Sequence, residues 1–336
     1  MMRQYSLEEG VLLKVEDLVV KFYTYAGVVH AVSGVSFYVK EGETIALVGE
    51  TGCGKTITTR AITRLIESPG RIESGAALFR RRDGSIVDLL RVDEEVLRKI
   101  RGDEIAYVFQ DPTSALDPLY TIGFHIYETM KAHRPAITKK VAFKKAVELL
   151  RQVLIPSPET RVKNYPHEMS GGMRQRSVIA ISLSNLPRLL IADEPTTNLD
   201  VTIQAQILDL LKRLQAENKI GMILITHNLG IVAENADRVY IMYAGKIVEE
   251  GATEQIFYNP QHPYTKLLLR AVPDPTKKVE KLEAIPGTIP SLIDPPPGCK
   301  FHPRCPFATE KCTREEPPFF NIEPQHRVAC WLLERR

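Results

Sequence analysis

The sequence predicts an α/β protein with a mostly parallel core sheet, a helical insertion and a small C-terminal extension. Between residues 189 and 250, short apolar runs alternate with helix-like segments, which is typical of a parallel sheet. Residues 111–185 have mainly helical patterning, which indicates the insertion. After about residue 270 prolines and cysteines become frequent. We therefore expect a main domain over 1–270 and an extension over 271–336.

The N-terminal part of the chain has the pattern of β-strands. Apolar and β-branched runs at 13–15, 18–20 and 35–39 are separated by turn signals. Residues 75–90 have the pattern of a hairpin around an Asp-Gly turn. The continuous apolar run at 45–48 predicts a buried strand.

The middle of the chain adds a short helix, a strand and an amphipathic helix. Residues 94–101 suit a helix and residues 105–109 suit a buried strand. Apolar residues then recur at steps of three and four, which predicts one amphipathic helix. These residues are Ala142, Ala146, Leu149, Leu150 and Val153. Further buried strands are predicted at 189–192, 222–225 and 239–242.

Length and composition are those of a globular protein. The chain has 336 residues, of which 44% are hydrophobic and 25% charged. A net charge of +3 is too small to favour nucleic acid or an anionic membrane as a partner. No apolar run reaches the ~18 residues that span a bilayer, and the N-terminus lacks the apolar core of a signal peptide. We expect a cytoplasmic protein, unless a partner holds it at a membrane.

The phosphate-binding pattern G-x-x-x-x-G-K-[ST] follows the strand at 45–48 and precedes a helix-like segment. Its eight residues are Gly49, Glu50, Thr51, Gly52, Cys53, Gly54, Lys55 and Thr56. A glycine-rich turn at a helix N-terminus points backbone N–H groups and the positive end of the helix dipole at an anion. In this pattern the lysine binds the β- and γ-phosphates and the hydroxyl binds Mg²⁺. The pattern therefore predicts a site for a nucleoside triphosphate.

Two carboxylates, Asp193 and Glu194, end the apolar strand at 189–192. An acidic residue at a strand end beside a phosphate loop holds Mg²⁺, directly or through water, which assigns Asp193. Because successive side chains point to opposite faces, Glu194 is placed to orient or deprotonate a water that attacks the γ-phosphate. A solvated acidic turn is the alternative, which the preceding strand disfavours.

Two further polar residues end buried strands. His227 follows the strand at 222–225, where we expect it to contact the γ-phosphate or the attacking water. Gln110 ends the strand at 105–109 and begins the helical insertion, so its amide is a candidate for Mg²⁺ or water. A lone histidine is more often structural, so the role of His227 depends on its neighbours.

A second candidate anion site is the run Ser170, Gly171 and Gly172 at the start of another helix. An ordinary helix cap is the alternative. Two phosphate-binding turns for one nucleotide indicate a dimer, in which each subunit completes the site of its partner.

In this order along the chain, these motifs resemble those of the nucleotide-binding subunits of ABC transporters, over residues 11–270. The resemblance implies the ABC-type P-loop fold with an antiparallel β subdomain, and two subunits that sandwich two ATP molecules. It makes Asp193 the Walker B aspartate and Glu194 the catalytic base, and it extends the site to the D-loop, Asn198 to Asp200. Phe22 or the neighbouring Tyr23 would stack on adenine.

The remaining sequence is similar to the oligopeptide/dipeptide importer branch, with His262-Pro263-Tyr264 as one mark. The signature ends in Met173, which resembles the D-type ATPase that pairs with a non-identical F-type ATPase. The resemblance implies two permeases, an indirect extracytoplasmic solute-binding protein and a place on the cytoplasmic face of the membrane. Oligosaccharides or other solutes are alternative cargoes. The single cassette, without a long coiled-coil insertion, disfavours a soluble non-transport ABC ATPase. The intact Glu194 and His227 disfavour a regulatory subunit that binds ATP without hydrolysing it.

Four cysteines lie in the extension: Cys299, Cys305, Cys312 and Cys330. Reduced thiols fit a cytoplasmic protein better than disulfides do. The closely spaced cysteine pairs of zinc sites are missing, whereas iron–sulfur clusters accept more varied spacing. Zinc, free thiols and disulfides stay as alternatives, and the family resemblance implies a [4Fe–4S] cluster. We expect this unit to be loop-rich and separate from the phosphate loop.

Overall fold

The computed structural model describes residues 5–197, 199–271 and 285–334. The strands, in chain order, are β1 (Val11–Thr24), β2 (Gly27–Lys40), β3 (Thr44–Val48), β4 (Gly70–Arg80), β5 (Ile86–Asp88), β6 (Ile105–Val108), β7 (Leu189–Asp193), β8 (Gly221–Thr226), β9 (Arg238–Tyr243), β10 (Lys246–Ala252), β11 (Phe319–Glu323) and β12 (His326–Ala329). The α-helices are α1 (Lys55–Ile62), α2 (Glu94–Ile100), α3 (Pro112–Ala115), α4 (Ile122–His133), α5 (Lys139–Gln152), α6 (Pro158–Arg161), α7 (Gly171–Ser182), α8 (Val201–Asn218), α9 (Leu229–Asn235), α10 (Thr253–Tyr258), α11 (Pro263–Arg270) and α12 (Glu310–Arg314).

The predicted parallel core is confirmed in the larger sheet, whose strand order is β11-β12-β10-β9-β3-β8-β7-β6. Strands β9, β3, β8, β7 and β6 run parallel. Every residue of β3, β7, β8 and β9 is buried, as expected for strands covered on both faces. The carboxyl ends of these strands therefore meet at one edge of the sheet, where loops build a site.

A smaller antiparallel sheet has the order β2-β1-β4-β5. The short N-terminal runs in the sequence belong to only two long strands, β1 and β2, each of 14 residues. Bulges in β1 explain the difference, because each shifts the alternation of apolar residues without ending the strand. One bulge contains Asp17, whose φ is 45° and whose N–H donates to Ser36 Oγ at 2.8 Å.

The helical insertion packs α3 to α7 against the face of the parallel sheet. The predicted amphipathic helix is α5, which buries Ala142, Ala146, Leu149 and Leu150. These side chains share one apolar core with residues of α7, β7 and β8. The insertion is therefore one continuous structure with the sheet.

The C-terminal extension is less loop-rich than the sequence predicts, because it adds two strands to the main sheet. Strand β12 pairs with β10, and β11 pairs with β12. A fully buried contact reinforces this junction, where His326 Nε2 lies 2.9 Å from Glu249 Oε1. Across the described segments, the helices are too short or too polar to span a membrane.

Candidate active site

The phosphate-binding loop connects β3 to α1 at the carboxyl edge of the parallel strands. Two of its glycines are required by close contacts with the backbone. A Cβ at Gly49 would lie 2.2 Å from the carbonyl oxygen of Met242, and a Cβ at Gly54 would lie 2.4 Å from that of Ala31. Gly54 also has a φ of 105°, a conformation that side chains disfavour. The loop therefore fits between β2 and β9 only with glycine at these positions.

The side chain of Lys55 is buried beneath this loop. Its ammonium group donates to the carbonyl oxygens of Gly49, at 2.7 Å, and Glu50, at 3.0 Å. Only 5% of the residue is exposed. These contacts hold a positive charge beside the N-terminus of α1, which is a suitable place for phosphate.

Thr56 and Asp193 meet across the loop. The Thr56 hydroxyl donates to Asp193 Oδ1 at 3.0 Å. Asp193 is only 2% exposed, and this burial raises the pKa of its carboxyl group. A hydroxyl and a buried carboxylate present the oxygen ligands that Mg²⁺ prefers. A bound cation would stabilise the ionised carboxylate, so these residues fit the predicted metal.

Glu194 follows β7 in the left-handed conformation, with a φ of 45°. Its Oε2 accepts hydrogen bonds from Gln110 Nε2 at 2.8 Å and Thr197 Oγ1 at 2.9 Å. His227 Nδ1 lies 3.0 Å from Oε1. Partial burial would raise the pKa of Glu194, but the bonds from His227 and Thr197 outweigh it and hold the pKa below its usual value. Glu194 is therefore an ionised acceptor, fixed from three directions.

A cavity of about 360 Å³ lies between the phosphate loop, Gln110 and Glu194. Phe22 lines it on one side. Tyr23 is held elsewhere, because its hydroxyl donates to Glu73 at 2.8 Å and its ring lies against Arg71. Of the two predicted aromatic residues, Phe22 is thus the one that faces the cavity.

Ser170, Gly171 and Gly172 lie at the N-terminus of α7, outside the residues that line this cavity. Ser170 Oγ accepts a bond from Met173 N–H at 3.4 Å, as a helix cap does. A Cβ at Gly172 would lie 3.0 Å from Ile203 of α8.

Asp200 caps α8, accepting from the N–H of Ile203 at 2.9 Å. A Cβ at Gly171 would lie 3.8 Å from Leu199, so the signature lies beside the D-loop. Asn198 of the D-loop lies outside the described residues.

Three residues of the site were not predicted from the sequence. Thr197 binds the carboxylate of Glu194. Tyr264 and Arg304 both contact Glu50 within the phosphate loop. Thr197 could have been found from its place three residues after Glu194. For Tyr264 and Arg304 the chain offers no local signal. The expectation that the extension is separate from the phosphate loop is wrong.

The four cysteines of the extension are free thiols, and Cys330 lies near the other three. Burial raises the pKa of Cys299 and of Cys330 to about 11 each, and the nearby thiols add to both shifts. Cys299 N–H also donates to the carbonyl oxygen of Cys312 at 2.9 Å. Among the described residues, no group of three or more histidine, cysteine, aspartate or glutamate side chains is arranged to hold a metal ion. The donor chemistry, four thiols in one region, nevertheless suits an iron–sulfur cluster.

Two family models match the chain. One, described as ABC transporter, matches residues 32–197. The other, described as oligopeptide/dipeptide transporter, C-terminal region, matches residues 248–312. The first match contains the phosphate loop and the strand-end carboxylates, and the second contains Tyr264 and Arg304.

Curated relatives match almost the whole chain. The dipeptide transport ATP-binding protein DppD of Lactococcus lactis is 48% identical over 98% of this chain and 93% of its own length. The oligopeptide transport ATP-binding protein OppD of Bacillus subtilis is 49% identical, over 96% of this chain and 89% of its own.

Solved structures share the fold of the main domain. A dimeric ATP-binding cassette in a post-hydrolysis state, bound to ADP and Pi, superposes with a TM-score of 0.63 and 26% identity, over 72% of this chain and 99% of that one. The protein cbiO1 of Clostridium perfringens, part of the ABC transporter complex cbiONQ, superposes with a TM-score of 0.61 and 29% identity. The match covers 75% of this chain and 92% of that one.

Proposed function

This chain belongs to the ABC transporter family, and from that premise we propose that it is the ATP-hydrolysing subunit of an importer of oligopeptides or dipeptides. The observation that carries the proposal is the cavity in which Lys55, Thr56, Gln110 and Glu194 meet beside Asp193. The peptide cargo is supported by the match of the C-terminal region and by the names of the relatives. We assign 1–270 to the nucleotide-binding domain, with the helical part at 111–185, and 271–336 to the extension.

The phosphate loop binds the triphosphate of ATP. Backbone N–H groups at the start of α1 and the ammonium group of Lys55 offset its negative charge. Phe22 stacks on the adenine, since it faces the same cavity. Thr56 and Asp193, with Gln110 nearby, hold Mg²⁺, which neutralises charge on the phosphates when bound.

Glu194 orients the water that attacks the γ-phosphate and accepts its proton. Its lowered pKa keeps the carboxylate ionised at neutral pH. Hydrogen bonds from Gln110, Thr197 and His227 orient its carboxylate. Because Gln110 begins the helical insertion, movement of that insertion would shift one of these donors and so couple the transporter to hydrolysis.

The second half of each ATP site comes from a partner ATPase. Ser170, Gly171, Gly172 and Asp200 lie apart from the cavity of their own chain, with Ser170 and Asp200 exposed, so they are free to contact ATP bound to the partner. One cassette with the same fold is a dimer. The Met after the signature glycines supports a non-identical, F-type partner. Mixing the two purified ATPases should raise phosphate release above the sum of the separate rates. Full transport-coupled activity from a homodimer of this chain would contradict the pairing.

The transporter also includes membrane permease subunits, to which this chain binds peripherally. We place it on the cytoplasmic face, where ATP is available, with two permeases and an extracytoplasmic solute-binding protein that selects the cargo. Reconstitution of the complete transporter in vesicles tests the cargo. Labelled di- and oligopeptides should be taken up with ATP hydrolysis, and an isosteric Glu194→Gln transporter should take up none. Uptake of oligosaccharides in place of peptides would favour the alternative cargo.

The extension holds a [4Fe–4S] cluster, ligated by Cys299, Cys305, Cys312 and Cys330. The support is four soft thiol ligands in one region, where Cys305 and Cys312 lie near enough to raise the pKa of Cys299 and of Cys330. Anaerobic purification should give a brown protein with iron and sulfide in equal amounts, and Cys312→Ser should lower both. Stoichiometric zinc without iron, or disulfides among these cysteines, would contradict the assignment.

A further inference from the structure

The extension contacts the phosphate loop through an ion pair. The guanidinium group of Arg304 binds the carboxylate of Glu50 at two points, Nη1 to Oε2 at 2.8 Å and Nη2 to Oε1 at 3.1 Å. The side chain of Arg304 is only 4% exposed. It is held in place by two more bonds, from Nε to the Pro286 carbonyl and from Nη1 to the Tyr243 hydroxyl. A shielded two-point pair is stronger and better oriented than a surface ion pair.

The backbone of Glu50 is held as well. Its N–H donates to the hydroxyl of Tyr264 at 3.0 Å, and Tyr264 is fully buried between aromatic rings. The carbonyl oxygen of the same residue accepts from Lys55. Arg304 and Tyr264 therefore hold the loop residue that in turn holds the phosphate-binding lysine.

A third contact lies in the cavity itself. Leu292 of the extension lines it together with Phe22 and Val29. The carbonyl oxygen of Leu292 accepts from His30 N–H of β2 at 2.7 Å. The adjacent Ile293 packs so closely that a Cβ at Gly27 would lie 2.6 Å from it. This segment therefore runs along the edge of the cavity.

We propose that the extension is a part of the ATP site, in which Leu292 contacts the base or ribose and Arg304 acts as a positioning residue through Glu50. The proposal rests on the nucleotide site proposed above. Glu50 places a negative charge inside a loop that must bind a polyanion. Arg304 neutralises that charge, so its removal leaves an unpaired carboxylate within the phosphate-binding loop. ATP affinity of this subunit then depends on a segment that follows its catalytic domain in the chain.

The test compares MgATP affinity across substitutions in the full-length chain, with KM and kcat measured on the assembled transporter. Arg304→Met should raise Kd and KM by about tenfold or more, with kcat changed less than threefold or so. Adding Glu50→Gln in the same chain should restore most of the affinity, because it removes the unpaired charge. A residue that only anchors the extension would not be rescued in this way.

Matched controls distinguish the loss of the Arg304 and Leu292 contacts from general destabilisation of the extension. Arg314→Met removes an exposed ion pair elsewhere in the extension and should leave Kd unchanged. Leu292→Ala should raise Kd several-fold, whereas Leu332→Ala, at an exposed leucine, should not. If Arg304→Met fails to fold, Arg304→Lys keeps the charge, loses the two-point contact, and should give a smaller rise in Kd.

Two results would overturn the proposal: wild-type affinity in both Arg304→Met and Leu292→Ala, or no recovery on adding Glu50→Gln. Lys55→Ala tests the nucleotide site independently. If it binds MgATP as the wild type does, the proposed function itself fails, whatever the Arg304 variants show.

Discussion

The carboxylate of Glu194 accepts three hydrogen bonds, and Glu194→Gln removes its charge while keeping its shape. The remaining amide oxygen can still accept from Gln110 and Thr197, which both bind Oε2. The new NH₂ group would face His227 Nδ1, which accepts once the imidazole moves its proton to Nε2. The site therefore tolerates glutamine without a lost contact, so we expect folding and ATP binding to stay unchanged.

Turnover should fall by ~10²–10⁴, the contribution of a positioned general base. This corresponds to about 3 to 5 kcal/mol of transition-state stabilisation. Phosphate release by the assembled transporter measures the loss, and nucleotide binding to the same preparation measures affinity. Glu217→Gln, at an exposed glutamate of α8, is the matched control and should leave both unchanged. Turnover of Glu194→Gln within tenfold of the wild type would refute the assignment of the base.

The remaining predictions concern the loop and the response to pH. Gly54→Ala should unfold at a lower denaturant concentration and lose ATP binding, because its Cβ would collide with the Ala31 carbonyl oxygen. Gly84→Ala has a positive φ but open space around it, so it should lower the free energy of unfolding by only ~1–2 kcal/mol and keep ATP binding. Equal losses in the two variants would contradict the steric argument. Burial lowers the pKa of His262 from 6.5 to about 4, so this ring is neutral in the folded protein. Between those values the unfolded chain binds more protons, and stability should fall by up to about 3 kcal/mol as pH drops from 6.5 to 4. Denaturation of His262→Asn, which keeps a helix-capping side chain, should show a weaker pH dependence over that window, and an unchanged slope would exclude His262 as its source.

Local patterns in the sequence were sufficient for much of the site. The strand, glycine-rich turn and helix around Lys55 are contiguous, so their geometry follows from a few neighbouring residues. Asp193, His227 and Gln110 each end or follow a buried strand, and parallel strands bring such ends to one edge. Their convergence was therefore predictable before any side chain was placed.

Only the tertiary structure distinguished Phe22 from Tyr23. Adjacent residues of a strand point to opposite faces, so the choice depends on counting along β1. The bulges in β1, including one between Val20 and Phe22, shift the alternation of side chains from one face to the other. The amino-acid composition gives no signal of where these bulges lie. The pairing of β1 with β2 and β4 then decides which ring faces the cavity.

The link between the extension and the phosphate loop was likewise decided by tertiary structure. Tyr264 and Arg304 lie 214 and 254 residues from Glu50 along the chain. A single sequence shows that an arginine and a glutamate are present, but not that folding of the extension against β2 and β10 brings them together. That contact depends on strand pairing and packing over the whole domain, because a buried two-point ion pair forms only when both partners are held in register.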